Sequence, residues 1–239
     1  MIAGVTALAY QVRQCQREGC GLRYPVLEGQ PFSQRCPRCR GSTRLLLECA
    51  LEREKSPLSP APYPLISTDQ TDSYPYPPIE ALLDNIRSAG NVGSMFRTAD
   101  GAGLRRLHLC GITATPENPS IAKTSLGAHE HLSWSWHADG VAAALALRED
   151  GCRLWALEDT PRSEPLFGVQ LERDDRPVVL VVGNEVCGVD PGILELCERI
   201  LYIPMHGAKR SLNAAVAFGV AVYWLASRNQ FWNSICSRR

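Results

Sequence analysis

The feature that most constrains the fold is an alternation of short apolar runs with helical stretches from residue 79 onward. The strand-like runs lie at 104–110, 152–158, 177–185 and 199–205. The predicted helices lie at 91–102, 138–149, 191–198 and 211–227. The run at 177–185 is apolar on both faces, as expected of a buried parallel strand. The pattern predicts a parallel β-sheet flanked by helices, with ligands bound beyond the carboxyl ends of the strands.

The chain divides into three parts. Its length of 239 residues and its hydrophobic content of 45% allow one α/β core and one small appended module. Residues 1–50 concentrate cysteines among glycines, arginines and prolines, and we expect a small zinc-ribbon-like module there. Residues 51–78 are predicted to be an extended linker, because proline lacks an amide donor and disfavours helical dihedral angles. Residues 79–239 are predicted to form the main domain.

Four cysteines in the first part have a spacing typical of a metal site. Cys15 and Cys20 form a C-x4-C pair, and Cys36 and Cys39 form a C-x2-C pair. Two such pairs can place four thiolates tetrahedrally about zinc, and Cys49 is near enough in sequence to be a spare ligand. A structural zinc is the expected stabiliser of a unit too small for its own core. A degenerate site without metal and a redox role are the alternatives.

Charge and cysteine content limit the class of protein. Lys plus Arg and Asp plus Glu each number 25, so no global basic field indicates a nucleic-acid partner. Basic side chains nevertheless cluster in the first part, at Arg13, Arg17, Arg23, Arg35, Arg38, Arg40 and Arg44. Ten cysteines, with no charged-then-apolar leader and no long apolar run, predict a cytoplasmic protein without a membrane span.

The first chemical motif is NVGSMFRTADGAG at 91–103. Asn91 is predicted to cap a helix, and Gly93, Arg97 and Gly101 recur at four-residue steps on one helix face. Because glycine leaves space one turn above and below, we expect the guanidinium of Arg97 to be accessible to phosphate or ribose oxygens. The alternative interpretation is a capped helix with an exposed arginine.

The second motif is GNEVCGVD at 183–190, which places Gly183 and Glu185 at the carboxyl end of the most apolar strand. A carboxylate at this position is costly to bury unless it accepts hydrogen bonds. We therefore expect Glu185 to hold a hydroxyl, an amide or the arginine of the first motif. An exposed strand-ending glutamate is the alternative.

The third motif is IPMHGAKRSLNAAVAFG at 203–219. A strand ends at Ile203 to Met205, and a short loop leads to a predicted helix that begins at Ser211, Leu212 and Asn213. The Ser211 hydroxyl is predicted to satisfy free amides at the helix start. The alanines and Gly219 that follow predict a helix with little side-chain bulk, which favours close packing, a ligand pocket or a dimer face.

The order and co-occurrence of these three motifs resemble the SpoU-type (TrmH-like) RNA ribose methyltransferases over about residues 79–228. The resemblance implies an α/β fold whose C-terminal portion is threaded as a trefoil knot. It also implies S-adenosylmethionine as cofactor, methyl transfer to a ribose 2′-hydroxyl of tRNA or rRNA, and a homodimer. The cofactor-binding residues that it implies are Leu157, Gly183, Ile203, Met205, Ser211 and Leu212.

The resemblance also implies roles at the reacting hydroxyl. Arg97 would act on that hydroxyl, Asn91 and Glu185 would orient it and Arg97, and Ser211 with Asn213 would line the pocket. Because arginine is essentially never deprotonated in proteins, we expect Arg97 to stabilise the developing alkoxide electrostatically rather than to accept its proton. The arginines around the four cysteines are the candidate contacts to the RNA backbone, and solvated surface charge is their alternative interpretation.

Two other functional classes are weighed against this prediction. A non-catalytic RNA-binding or adaptor protein on the same fold would be expected to have lost a motif residue, yet Asn91, Arg97, Glu185, Ser211 and Asn213 are all present. A nucleotide- or NAD-dependent enzyme on an ordinary doubly wound sheet would need a phosphate-binding glycine fingerprint directly after its first strand, and the sequence lacks G-x-G-x-x-G. The sequence therefore favours an RNA methyltransferase.

Overall fold

The chain forms two compact units in the computed structural model, a cysteine unit (residues 1–65) and a sheet unit (residues 66–239). The residues that the structure describes are 9–27, 29, 32–50, 78–169, 176–208 and 210–228. The predicted linker, residues 51–78, lies outside the described residues except for Pro78.

The cysteine unit contains a three-stranded antiparallel sheet. Its strands are β1 (Ala9–Cys15), β2 (Arg23–Leu27) and β3 (Thr43–Ala50), in the order β2-β1-β3. The register of β1 against β3 shifts between Val12 and Arg13. The loops between these strands carry the second cysteine pair and Cys20, so the sheet presents the predicted ligands at one end.

Within its described residues, the sheet unit contains seven strands, all of whose pairings are parallel. Their order across the sheet is β6-β5-β4-β9-β7-β10-β8. The strands are β4 (Ile79–Asp84), β5 (Arg106–Cys110), β6 (Ser133–His137), β7 (Arg153–Leu157), β8 (Glu164–Pro165), β9 (Val178–Val182) and β10 (Arg199–Tyr202). The predicted parallel α/β architecture is confirmed.

Helices cover both faces of this sheet. They are α1 (Ala89–Gly101), α2 (Pro119–Ser125), α3 (Ala128–His131), α4 (Gly140–Glu149), α5 (Pro191–Leu194) and α6 (Ala214–Arg228). One face carries the larger core, into which α1 and α6 send side chains such as Phe96 and Phe218. The other face carries a smaller core beneath α4 and α5. The central strands β4 and β9 are buried along their whole length, as predicted for β9.

Two predicted helix starts were wrong by a few residues. The N-cap of α1 is Ser88, whose hydroxyl accepts a hydrogen bond from the Asn91 amide at 3.2 Å, so Asn91 lies inside the helix. The N-cap position of α6 is occupied by Asn213, whose Oδ1 accepts from the amides of Ala215 and Val216, and not by Ser211. In both cases a nearby residue of equal capping ability competes for the position.

The predicted start of α5 is confirmed, but its length is not. The Asp190 carboxylate accepts a hydrogen bond from the Gly192 amide at 2.7 Å, and Pro191 is the first helical residue. The helix ends at Leu194, four residues before the predicted boundary. Within the described ranges, no helix is long and apolar enough to cross a membrane.

Close packing between helices explains Gly93 better than clearance around Arg97 does. A Cβ at Gly93 would lie 2.0 Å from Oγ1 of Thr124 and 2.6 Å from the carbonyl oxygen of Ile121. The missing side chain therefore allows α2 to approach α1. This contact fixes α1, which carries the first motif, against the loop and helix that follow β5.

Strands β4, β5 and β6 share a buried polar network. Nε2 of His108 lies 2.8 Å from Oε2 of Glu80, and Nδ1 of His108 lies 3.1 Å from Oγ of Ser135. Glu80 and His108 are both buried, and their mutual hydrogen bond offsets the desolvation of the two polar groups. These polar residues interrupt the apolar pattern of β4 and β6, which the sequence did not identify as separate strands.

Candidate active site and candidate metal centre

The three motifs meet at the carboxyl edge of the sheet. Strands β4 and β9 are neighbours, so the segment after β4 (residues 85–88) and the turn after β9 (residues 183–188) leave the sheet side by side. The side chain of Asn184 joins them, because its Nδ2 donates to the carbonyl oxygen of Asn85 at 2.7 Å. The candidate active site is built on these two segments and on α1.

Glu185 is held by three hydrogen bonds. Its carboxylate accepts from the Arg87 amide at 2.8 Å, the Ser88 amide at 3.1 Å and Nδ2 of Asn91 at 2.8 Å. Desolvation by burial tends to raise the pKa of Glu185, but the bonds from Arg87, Asn91 and Ser88 outweigh it and hold that pKa below its usual value. Glu185 is therefore an ionised carboxylate that orients α1, which agrees with the predicted amide partner.

Asn213 connects the third motif to this cluster. Its Nδ2 donates to Oδ1 of Asn91 at 3.2 Å, while its Oδ1 caps α6. Asn91 thus uses its amide nitrogen for Glu185 and its oxygen for Asn213. One hydrogen-bonded line, from Glu185 through Asn91 to Asn213, spans three segments that lie far apart in the sequence.

Arg97 and Ser211 lie close in sequence to this line. Arg97 is exposed on α1, six residues after Asn91. Ser211 is exposed two residues before Asn213 and, among the described residues, makes no hydrogen bond to Glu185 or Asn91. The structure thus joins Glu185, Asn91 and Asn213, three of the five predicted catalytic residues, by direct hydrogen bonds.

The turn after β9 depends on a glycine. A Cβ at Gly183 would lie 2.2 Å from both the Gly188 carbonyl carbon and the Val189 nitrogen. The chain closes there through two backbone hydrogen bonds between Asn184 and Gly188, of 3.0 and 2.9 Å. Only a residue without a side chain fits so close to backbone. Asn184, which the sequence reasoning did not single out, completes the turn by accepting from the amides of Val186 and Cys187.

The residues predicted to bind a cofactor follow three adjacent strands. Leu157 ends β7, Gly183 follows β9 and Ile203 follows β10, and β7 lies between the other two. Met205 and Leu212 continue along the segment after β10. Open loops at the carboxyl edge of a parallel sheet are the usual position for a nucleotide-like ligand.

Glu158 is a further polar residue at this edge that the sequence reasoning did not assign. Its Oε2 accepts a hydrogen bond from the Val189 amide at 3.1 Å, and Gly188 packs against its carboxylate. Burial raises the pKa of Glu158, although the Val189 hydrogen bond opposes that rise. The signal for it in the sequence was a carboxylate directly after a fully buried strand.

The cysteine unit contains a candidate metal centre. The sulfur atoms of Cys15, Cys20, Cys36 and Cys39 all lie within 4.8 Å of one another. The Cys15–Cys39 and Cys20–Cys36 sulfur pairs are 3.4 and 3.8 Å apart. A tetrahedral zinc centre with Zn–S bonds of about 2.3 Å places its sulfurs about 3.8 Å apart, so the four thiolates fit such an ion.

Backbone amides support these sulfur ligands. The Arg17 amide donates to Sγ of Cys15 at 3.4 Å. A hydrogen bond from the Gly41 backbone lowers the pKa of Cys39. At Cys15 the Arg17 hydrogen bond is outweighed by burial and by the contact with Cys39, which raise the pKa of that thiol. Amide donors of this kind orient metal-bound thiolates and compensate their charge.

Comparison with known proteins places the sheet unit in a family. The profile of the SpoU rRNA Methylase family matches residues 78–223, which is more than half of the chain. The chain is 32% identical over 154 residues to the 23S rRNA (guanosine(2553)-2′-O)-methyltransferase RlmP of Bacillus subtilis (strain 168), covering 60% of this chain and 56% of that protein. It is 30% identical over 143 residues to the tRNA (guanosine(18)-2′-O)-methyltransferase of Aquifex aeolicus (strain VF5), covering 59% and 65%.

Solved structures agree with this similarity. An AdoMet-bound rRNA methyltransferase from Sinorhizobium meliloti superposes with a TM-score of 0.58 at 27% identity, over 66% of this chain and 59% of that one. The TrmH/SpoU tRNA modifying enzyme of A. aeolicus gives a TM-score of 0.58 at 26% identity, over 69% and 82%. The chain spans little more than half the length of the curated B. subtilis relative. The chain belongs to the SpoU rRNA methylase family.

Proposed function

We propose that this chain is an S-adenosylmethionine-dependent RNA methyltransferase that methylates a ribose 2′-hydroxyl of tRNA or rRNA. The observation that carries the proposal is the hydrogen-bonded line Glu185–Asn91–Asn213, which unites all three motifs at the carboxyl edge of the sheet. The names of the relatives, which act on tRNA and rRNA, support the reaction and the substrate class.

The proposed cofactor site is the edge formed by the loops after β7, β9 and β10. Leu157, Gly183, Ile203, Met205 and Leu212 would surround S-adenosylmethionine, with Ser211 at the boundary toward the substrate. A trefoil knot is part of this proposal, and the position of β10 between β7 and β8, both earlier in the chain, supports it. When bound, the sulfonium of S-adenosylmethionine supplies an electrophilic methyl group.

The chain's own residues would position and polarise the attacking oxygen. Asn91, fixed by Glu185 and Asn213, holds α1 so that Arg97 faces the ribose and the adjacent phosphate. The permanent charge of Arg97 stabilises the 2′-oxygen as negative charge develops on that oxygen. The proton of the 2′-hydroxyl leaves to phosphate or water. Holding the two reactants near attack distance supplies much of the remaining acceleration.

The proposed partners are RNA and a second copy of the chain. The exposed arginines of the cysteine unit are suited to phosphate contacts that position the RNA. The homodimer is supported by apolar side chains exposed on and before α6, including Val216, Tyr223 and Leu212, which are 53%, 43% and 37% exposed. A cytoplasmic location is proposed because the eight cysteines whose side chains the structure describes are free thiols.

We also propose that the four-cysteine centre holds a structural zinc ion. The donor set, the sulfur spacing and the amide donors to Cys15 and Cys39 support it. Four thiolates leave no open coordination position, so this zinc would stabilise the unit and take no part in methyl transfer.

Calorimetric titration with S-adenosylmethionine and with its demethylated product tests the proposed function. We expect micromolar-range binding that is unchanged in Arg97→Ala, and methylation of total RNA that falls by about 10²–10³-fold in the variant. Mapping of 2′-O-methyl positions would then identify the substrate. If the folded protein binds neither compound, the proposed methyltransferase function is contradicted and a non-catalytic RNA-binding adaptor is favoured.

A further inference from the structure

A second concave site lies beside the proposed active site, at the β5–β6 edge of the sheet. It is a pocket of about 610 Å³ between the loop after β5 and the edge strand β6. We call it the tryptophan pocket; its main lining residues are Thr113, Thr115, Glu117, Asn118, Trp134 and Trp136. None of the three motifs contributes a lining residue to it, so the proposed methyl-transfer chemistry leaves it unexplained.

The aromatic part of the pocket is rigid and accessible. Trp134 and Trp136 alternate along β6 and therefore point to the same face of the sheet. Trp134 packs against the larger core, whereas Trp136 is 51% exposed. Nε1 of Trp136 donates to the carbonyl oxygen of Gly111 at 3.2 Å, which fixes the indole while leaving much of it open. A fixed, exposed indole is suited to stacking against an unpaired base.

The polar part of the pocket favours a particular base. Glu117 is exposed and its Oε2 accepts a hydrogen bond from the Thr115 hydroxyl, which orients the carboxylate. An ionised carboxylate only accepts hydrogen bonds. Guanine presents two adjacent donors, N1–H and N2–H, on its Watson–Crick edge, and a carboxylate in the plane of the base can accept both. The other RNA bases present no such pair, so the pocket's polar chemistry matches guanine.

The pocket is tied directly to the proposed active site. Oγ1 of Thr113 accepts a hydrogen bond from the Ile86 amide at 2.9 Å, and the next amide along, that of Arg87, donates to Glu185. Oδ1 of Asn85 accepts from the Ile112 amide at 3.2 Å. The segment 85–88 therefore makes direct hydrogen bonds both to the candidate active site and to the loop that lines the tryptophan pocket. A polynucleotide bound across the active site would pass within reach of the tryptophan pocket.

We propose that the tryptophan pocket binds an unpaired guanine of the RNA substrate, stacked on Trp136 and read by Glu117. The proposal rests on the proposed function, since it identifies a recognition subsite of the same RNA. Binding of the base in this pocket would hold the neighbouring ribose against the segment 85–88. Its effect is therefore on substrate choice and RNA affinity and not on the methyl-transfer step.

Titration of the full chain with short unstructured RNA tests the proposal. The probes are uridine pentamers with guanosine, inosine, adenosine or uridine at the centre. Their binding is measured by quenching of tryptophan fluorescence and by calorimetry. We expect the guanosine pentamer to bind most tightly, and the inosine pentamer, which lacks the N2 amino group, to bind more weakly. Trp136→Ala should weaken guanosine binding by about tenfold and Trp136→Phe by less, because phenylalanine retains a stacking face.

Glu117→Gln separates reading of the base from stacking. A glutamine can accept only one of the two guanine hydrogens and presents a donor to the other, so the preference for guanosine over inosine should disappear. Binding of the uridine pentamer should be unchanged. Ile112→Ala is the matched control, because that side chain is 67% exposed in the same loop and is not part of the pocket lining.

The possible results separate this proposal from the proposed function. Equal affinity of the wild type for all four pentamers, or unchanged binding by both Trp136→Phe and Glu117→Gln, would overturn the guanine site. Methylation of total RNA by the same protein would leave the proposed function intact in that event. Conversely, the protein could prefer guanosine through Trp136 and yet neither bind S-adenosylmethionine nor methylate RNA. That result would support the guanine site and contradict the proposed enzymatic function.

Discussion

The two units of this chain are stabilised in different ways. Among the described side chains of the cysteine unit, only Cys15 and Cys36 are buried, and both belong to the candidate metal centre. The sheet unit instead buries two continuous apolar clusters, one on each face of its parallel sheet. With the proposed zinc, one unit would depend on a bound ion and the other on the hydrophobic effect, and each should respond to perturbations that leave the other unaffected.

Metal removal should have the largest effect and should be confined to the cysteine unit. Structural zinc contributes about 10–16 kcal/mol in small zinc-binding peptides, far more than the few buried side chains of this unit can replace. We expect chelation, or Cys36→Ser, to abolish zinc binding and unfold the unit, while binding of S-adenosylmethionine persists. Zinc content and nuclear magnetic resonance of the amides measure the two effects.

Cys187→Ser is the control for that experiment, because Cys187 is an exposed cysteine of the sheet unit. It should leave zinc content unchanged. If chelation also unfolded the sheet unit, the separation of the two units would be wrong.

Truncation of the larger core should have the reverse effect. Phe96 is fully buried on α1, and Phe96→Ala should lower the free energy of unfolding of the sheet unit by about 3–5 kcal/mol. Zinc content should be unchanged. Denaturant unfolding followed by tryptophan fluorescence measures the loss, and Ile112→Ala, at an exposed position, should change it by less than about 0.5 kcal/mol.

A smaller effect is expected from the turn that carries Glu185. Gly183→Ala would force a methyl group into the backbone of Gly188 and Val189, and should cost about 2–3 kcal/mol together with most of the methyl transfer. Gly168→Ala is the matched control, because a Cβ there meets nothing within 4 Å. Thermal unfolding of both variants measures the difference, and equal costs would show that the turn can open without penalty.

The smallest expected effect is a pH dependence of the sheet unit that arises at Glu185. The lowered pKa of Glu185 means that its ionised form is favoured by folding. Its contribution to stability should be complete above the ordinary value of about 4.5 and should be lost as pH falls through the lowered pKa. The difference in unfolding free energy between wild type and Glu185→Gln should therefore shrink on acidification. A difference that stays constant with pH would show that the carboxylate charge is not involved.

The sequence allowed the architecture to be predicted better than the details of the site. Continuous apolar runs such as β9 report burial on both faces, so the parallel sheet followed directly from them. The edge strand β6, with the sequence SWSWH, has no such run, because one side chain in two faces a polar network or a pocket. Local pattern cannot distinguish such a strand from a loop.

The sequence indicated which residues belong to the site, but not which partners they contact. A strand-ending glutamate flanked by glycines indicated that Glu185 needs hydrogen-bond donors, but its partners Arg87, Ser88 and Asn91 lie more than 90 residues earlier in the chain. Asn184 and Glu158 were missed for the same reason. Their significance arises from backbone amides brought beside them by the sheet order, which residue spacing does not encode.

The position of β10 also affects how the protein can be made. In the described structure β8 pairs only with β10, and β10 is the last strand to leave the ribosome. During synthesis, the edge of the sheet beyond β7 therefore cannot form until residues 199–202 have emerged and entered between β7 and β8, which are already present. Vectorial folding behind the translating ribosome is thus limited to β4–β7 and β9, and the carboxyl-terminal segment completes both the sheet and the site as one late event.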